Sequence, residues 1–142
     1  MTPRIDNAFA LAPDAIKAMY ALEGAIKHSG LDETLLHLVK TRASQINHCA
    51  FCIQMHTKEA RAHGETELRL YMLNAWRESP LYSARERAAL AWTEALTTLD
   101  HKTDYASLRG RLRASFTDKE IGTLTANIGM INLWNRIQVS AH

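Results

Sequence analysis

The two cysteines of this chain lie three residues apart, in Asn47-His48-Cys49-Ala50-Phe51-Cys52-Ile53-Gln54-Met55-His56, a C-x-x-C followed by a histidine at the fourth position beyond. Four of the seven histidines, His37, His48, His56 and His63, fall in a 27-residue window around that pair, where about 1.3 would fall on composition alone. On a helix Cys49, Cys52 and His56 occupy positions i, i+3 and i+7 and share a face, with His56 one turn beyond Cys52. A base is then within reach of a thiol. Thiols in a first helical turn also feel unpaired amide donors and the positive end of the helix dipole, which favour thiolate. Two such thiols can cycle between dithiol and disulfide: one thiolate attacks an oxidised substrate and the other resolves the sulfenic acid or mixed disulfide. Proximity to His56 selects Cys52 as the attacking thiol, whereas helix-terminus electrostatics alone favours Cys49. His37 and His48 are the further candidate proton carriers.

A structural role and a metal-binding role compete for the same residues. Free cysteine is among the most buried residue types, so the pair can be structural. Cys49, Cys52, His56 and either His37 or His48 can also complete a tetrahedral zinc set, although a histidine so soon after C-x-x-C on one helix is tighter than finger spacing. The thiol reading itself calls for no metal and no organic cofactor.

These residues must be positioned by helices, because the whole sequence reads in helical periods and no segment alternates like a strand. The expected class is all-α, a bundle of about six to seven helices. A first helix starts at Pro13 and stops at Ser29-Gly30. Asp32 caps a second, which ends or bends at Asn47-His48, two weak helix formers in a row. The third runs from about Cys49 to His63 with Gly64 beyond its end, so the redox core spans about 32–64. A short helix follows over Thr66–Trp76, then a turn at Ser79-Pro80. Ser83 with Glu86, and Thr117 with Glu120, have capping-box spacing; the first opens a helix to about Thr98 and the second opens the last helix. Between these lies a weaker helix over Asp104–Ser115 whose arginines face solvent. In the last helix Gly122, Ala126 and Gly129 form a small-residue stripe that another helix can approach closely. Trp76, Trp92 and Trp134 are expected in the core or a subunit interface, and Arg42, Arg87 and Arg136 in ion pairs between helices. His28 and His63 sit near helix ends, where an imidazolium is locally favoured.

Composition narrows the class further. The chain has 142 residues, 46% of them hydrophobic and 23% charged, which suits one ordinary globular domain over 1–142 and excludes disorder or a fibrous chain. A net charge of +2 with scattered basic residues gives no nucleic-acid partner. Two cysteines cannot make a disulfide scaffold. No apolar run follows Met1-Thr2-Pro3-Arg4-Ile5-Asp6-Asn7, and no stretch approaches a membrane span, so a cytoplasmic protein without membrane association is expected.

The run Leu38-Val39-Lys40-Thr41-Arg42-Ala43-Ser44-Gln45-Ile46-Asn47, followed by C-x-x-C-x-x-x-His, resembles the core of the alkyl hydroperoxidase D-like branch of the carboxymuconolactone decarboxylase superfamily. A second block from Trp76 to Leu81 and Glu86 to Ala95, and a third over Asn132–Arg136, are similar to members of the same group, so the resemblance covers the chain from about residue 30 onward. It implies a helical subunit that forms dimers, trimers or hexamers. It implies a thiol-dependent peroxidase or disulfide reductase of the antioxidant type, taking a hydroperoxide substrate and electrons from a dithiol or protein donor. In that family a glutamate twelve residues before the first motif cysteine joins the motif histidine in a proton relay, and some members carry a further histidine between the cysteines. Here those positions are His37 and Phe51, so Cys49, Cys52 and His56 carry over and the relay acid does not. An imidazole at position 37 favours thiolate when protonated, where a carboxylate would oppose it, and so changes the pH dependence. A decarboxylase acting on a lactone acid, and a non-enzymatic redox-sensing or zinc-stabilised module, are the alternatives.

Overall fold

A computed structural model of the chain describes residues 8–141; the amino-terminal stretch read above for a leader lies outside them. The described residues form helices and connecting turns only: α1 (Ala8–Leu11), α2 (Pro13–Lys27), α3 (Glu33–Ile46), α4 (Ala50–Ala62), α5 (Glu67–Tyr71), a 3-10 turn over Leu73–Ala75, α6 (Ala84–Thr98), α7 (Tyr105–Arg113) and α8 (Asp118–Ala141). No described helix is long and apolar enough to cross a membrane.

The caps explain the boundaries. Pro13 opens α2, and Asp32 accepts from the Thr34 amide at 3.0 Å to open α3. Both capping boxes form in full. Ser83 and Glu86 exchange bonds of 3.1 Å with each other's amides, and the Glu120 carboxylate and Thr117 hydroxyl do the same at 2.7 and 3.2 Å. Two elements differ from the sequence reading. The segment expected as one helix over 66–76 is a five-residue helix and a 3-10 turn, because the Arg69 side chain and Tyr82 hydroxyl draw its backbone toward the loop before α6 rather than along a helix axis. A Cβ on Gly122 or Gly129 would meet nothing within 4 Å, so no described helix approaches closely at either glycine of the small-residue stripe, while Ala126 between them packs against the main core.

Helix α3 lies at the centre, packed on α4, α6 and α8. The main core joins Leu35, Leu36 and Val39 of α3 to Trp92 of α6 and to Ile121, Leu124 and Ile128 of α8, all 5% exposed or less. A smaller cluster packs Leu38 and Leu90 against Leu73, Trp76 and Tyr82. Two of the tryptophans are thus core residues. Trp134, half-buried, packs at the edge of the main core and also against Tyr20 and edge-on to Phe9, with ring centroids at 5.5 and 6.0 Å.

Of the three arginines expected to pair with acids, only Arg42 does so among the described residues, with its Nε donating to Glu94 at 2.9 Å. Arg87 donates to the carbonyls of Trp76, Ser79 and Arg77, and Arg136 to the carbonyl and side chain of Asn132, because these guanidiniums reach turn and helix carbonyls before they reach an acid. Arg109, Arg111 and Arg113 are exposed, as expected.

Candidate active site

The junction between α3 and α4 is one continuous piece of capping geometry. Asn47 ends α3, and His48 follows in the left-handed region at φ 55°. The His48 amide donates to Gln45 O at 3.2 Å and the Cys49 amide to Ser44 O at 3.0 Å, the paired bonds of a Schellman motif. A non-glycine residue held there costs about 1 kcal/mol, which the surrounding bonds must sustain. They do so from α8: Asn47 Nδ2 donates to the Oδ1 atoms of Asn132 and Asn135 at 2.9 Å, and Asn135 Nδ2 donates to Ser44 Oγ at 3.0 Å. Cys49 is then the N-cap of α4, and its Sγ accepts from the Cys52 amide at 3.3 Å. The two cysteines form a disulfide across a Cα separation of 5.3 Å and are 2% and 1% exposed. His48 itself is exposed, and its part in this corner is played by its backbone.

A tight corner between two helices brings together residues equally far from its apex. His37 and Glu59 lie eleven residues before and after His48, and Glu33 and His63 lie fifteen before and after. Both pairs meet. His63 Nε2 is 2.5 Å from Glu33 Oε2, and His37 Nδ1 is 3.5 Å from Glu59 Oε2. The same Glu59 oxygen is 3.0 Å from His56 Nδ1, one turn back on α4. Glu59 therefore lies between the two imidazoles, and the His63 ring stands 4.8 Å from that of His37.

The electrostatics follow from burial. Loss of hydration drives His37 from the ordinary 6.5 down to about 4, against the opposing pull of Glu59 and with help from nearby Lys40, so this imidazole is neutral at neutral pH. The bond from His56 holds the Glu59 carboxyl below its ordinary range despite partial burial. Lys40 is itself buried and paired with Glu23 of α2. His56 Nε2 and His37 Nδ1 are buried without a hydrogen-bond partner. His37, His56, Glu59 and His63 border a cavity of about 510 Å³ whose other walls include Phe9, Tyr20, Leu36, Phe51, Met55 and Trp134. This is the size and mixture of apolar wall and few convergent polar groups typical of a small-molecule site.

Sequence reasoning located Cys49, Cys52, His56 and His37 and passed over Glu59, Glu33 and His63, the last of which it assigned to a helix end. His63 Nδ1 does face the Glu59 carbonyl at 3.0 Å, but its other nitrogen joins the cluster. The missed signal was the symmetry of these residues about the Asn47-His48 break. The acid that is lacking twelve residues before Cys49 stands instead three residues after His56.

The carboxymuconolactone decarboxylase family pattern matches residues 13–95, and the chain belongs to that family, in its alkyl hydroperoxidase D-like branch. It is 41% identical over 140 residues to the uncharacterized protein YdfG of Bacillus subtilis, covering 99% of this chain and 95% of that one. A crystal structure from Agrobacterium tumefaciens, of a protein of unknown function put forward as an antioxidant defence protein AhpD, is 45% identical. It superposes with a TM-score of 0.90 over 97% of this chain and 94% of that one. An uncharacterized peroxidase-related protein from Silicibacter is 25% identical with a TM-score of 0.81, covering 99% of this chain and 74% of that one.

Proposed function

We propose that the protein is a thiol-dependent antioxidant enzyme that reduces hydroperoxides, or small disulfides by the same thiols. The observation that carries this reading is the Cys49–Cys52 disulfide at the N-terminus of α4 with the His56–Glu59 pair one turn beyond it. Reduced, the pair has one sulfur at the N-cap, where the Cys52 amide and the helix dipole favour thiolate, and the other one turn from His56.

The Cys52 thiolate attacks the terminal oxygen of the hydroperoxide. The O–O bond breaks, the alkoxide leaves as alcohol with a proton from His56, and Cys52 becomes a sulfenic acid. Cys49 then attacks Cys52 Sγ, hydroxide departs as water with a second proton, and the disulfide forms. Two electrons pass from the cysteines to the peroxide, and an external dithiol, small or carried by a protein, restores them by thiol–disulfide exchange. Glu59 orients His56 through Nδ1 and supports its protonated form, the task that the family's glutamate performs from the position His37 holds here. His37, neutral at neutral pH, packs against this pair from α3, and His48 is a candidate carrier at the outer rim of the corner.

The reducing cytoplasm suits such a cycle, and association with further copies of the chain is part of the same reading. The test is hydroperoxide consumption under a dithiol reductant by the wild type and by Cys52→Ser. The variant is expected to fall to the uncatalysed rate with its helical content intact. Equal rates would overturn the proposal.

A further inference from the structure

Hydrogen bonding within the histidine cluster leaves one contact over. A single carboxylate oxygen, Glu59 Oε2, faces two imidazole nitrogens, His56 Nδ1 at 3.0 Å and His37 Nδ1 at 3.5 Å. The first is a hydrogen bond. The second is not, and it leaves His37 Nδ1 buried with no partner, an arrangement that costs free energy unless something else binds that atom. Three donor atoms on two helices, all within 4.8 Å of one another, thus converge at the wall of the cavity.

We infer that His37, Glu59 and His56 form a site for a divalent first-row transition ion, of which zinc is the representative. Two imidazoles and a carboxylate are the donor types that suit such ions. Four-coordinate zinc with bonds of about 2.0–2.1 Å sets its ligand atoms about 3.3 Å apart, and the separations of 3.0 and 3.5 Å bracket that value. The surrounding charge is permissive, because Glu33 adds a second carboxylate across the His63 ring and the Lys40 ammonium is taken up by Glu23. The fourth position opens toward the cavity, so the ion can take a further ligand from solvent or a small molecule.

This site differs in kind from a zinc finger built on the cysteines, because both sulfurs are committed to the disulfide. It also has a consequence for turnover, which rests on the thiol-peroxidase reading. An ion on His56 and Glu59 withdraws both from proton transfer, so metal occupancy and peroxide reduction exclude one another.

Binding is tested apart from activity. The full chain, stripped with chelator and kept in its disulfide form, is titrated at neutral pH with Zn(II) by calorimetry and with Co(II) by absorption spectroscopy. The expected result is saturable binding of one ion per chain, with visible cobalt ligand-field bands and no near-ultraviolet thiolate-to-cobalt charge-transfer band. Glu59→Gln and His37→Asn, each checked for helical content, are expected to weaken binding at least about tenfold. The Cys49→Ser/Cys52→Ser double variant and His63→Asn are expected to retain it. Absence of saturable binding, binding lost in the double-serine variant, or unchanged affinity in the Glu59 and His37 variants overturns the inference. Loss in His63→Asn with retention in Glu59→Gln does so as well, by assigning the ion to Glu33, His37 and His63. None of these outcomes depends on peroxide turnover.

Discussion

Two of the polar clusters among the described residues are built on opposite principles. In one, Arg69 of α5 donates through Nε and Nη2 to Glu65 at 2.8 and 3.1 Å, pairs with Glu86 of α6, and donates through Nη1 to the carbonyl of Leu81 at 2.5 Å. Its guanidinium lies 4.9 Å from the centre of the Tyr82 ring, whose hydroxyl donates to the Arg69 carbonyl. The fixed fork of an arginine has been matched with acceptors on every side, and the result is a staple between a short helix and the α6 cap. In the other, the imidazoles of α3 and α4 surround one carboxylate and leave two buried nitrogens unpartnered at a cavity wall. A saturated cluster can only hold the fold. An unsaturated one retains lone pairs and protons that can be spent on a ligand or a reaction, and it is built from the side chain that titrates nearest neutrality.

The two clusters should therefore separate stability from chemistry when they are broken. The largest effect is expected from Arg69→Met, which leaves Glu65, 5% exposed, without its cation. The loss should be about 3 kcal/mol of unfolding free energy in chemical denaturation, with the proposed peroxide-reducing activity of the folded fraction unchanged. Glu59→Gln should invert that pattern. Its stability should stay close to wild type, because the carboxylate is two-fifths exposed. Its kcat/KM for hydroperoxide should fall about tenfold, equivalent to about 1.4 kcal/mol, with a displaced pH profile, since in the proposed cycle Glu59 orients and supports His56.

A third effect, absent at neutral pH, concerns acid. The folded chain leaves His37 unprotonated down to about 4, whereas the unfolded chain takes up that proton near 6.5. Between those values the unfolded state binds more protons, so stability declines as pH falls from about 6.5 toward about 4. Glu59, held below its ordinary range, adds a loss in the same direction at lower pH, as its carboxylate is protonated. Denaturation midpoints measured across this interval should slope less in His37→Asn than in the wild type. An identical slope would mean that His37 does not titrate as its burial requires.

Much of the bundle was legible because helix ends are local chemistry. Pro13, Asp32, the two capping boxes and Gly64, at φ 94° just beyond α4, fix boundaries through bonds that span five residues or fewer. The cysteine pair was legible for the same reason, since Cys49, Cys52 and His56 are related by helical register alone. Where a side chain finds its partner far along the chain, reading failed. Nothing near Arg87 indicates that it will take three carbonyls, and nothing in the 66–76 pattern shows that Arg69 will hold that helix to five residues. Glu59 was passed over because an acid on an amphipathic helix reads as a solvated one. Its role depends on His37, which another helix brings to it.

The sequence by itself determined that this chain is helical, that a dithiol stands at a helix start, and that a histidine accompanies it, because capping and register act within a turn or two of backbone. Only the tertiary structure decided which acid serves that histidine. The angle at which α3 meets α4 is set by the left-handed His48 and by Asn132 and Asn135 of α8, more than eighty residues away. That angle converts residues equidistant from one corner into a shared imidazole–carboxylate site.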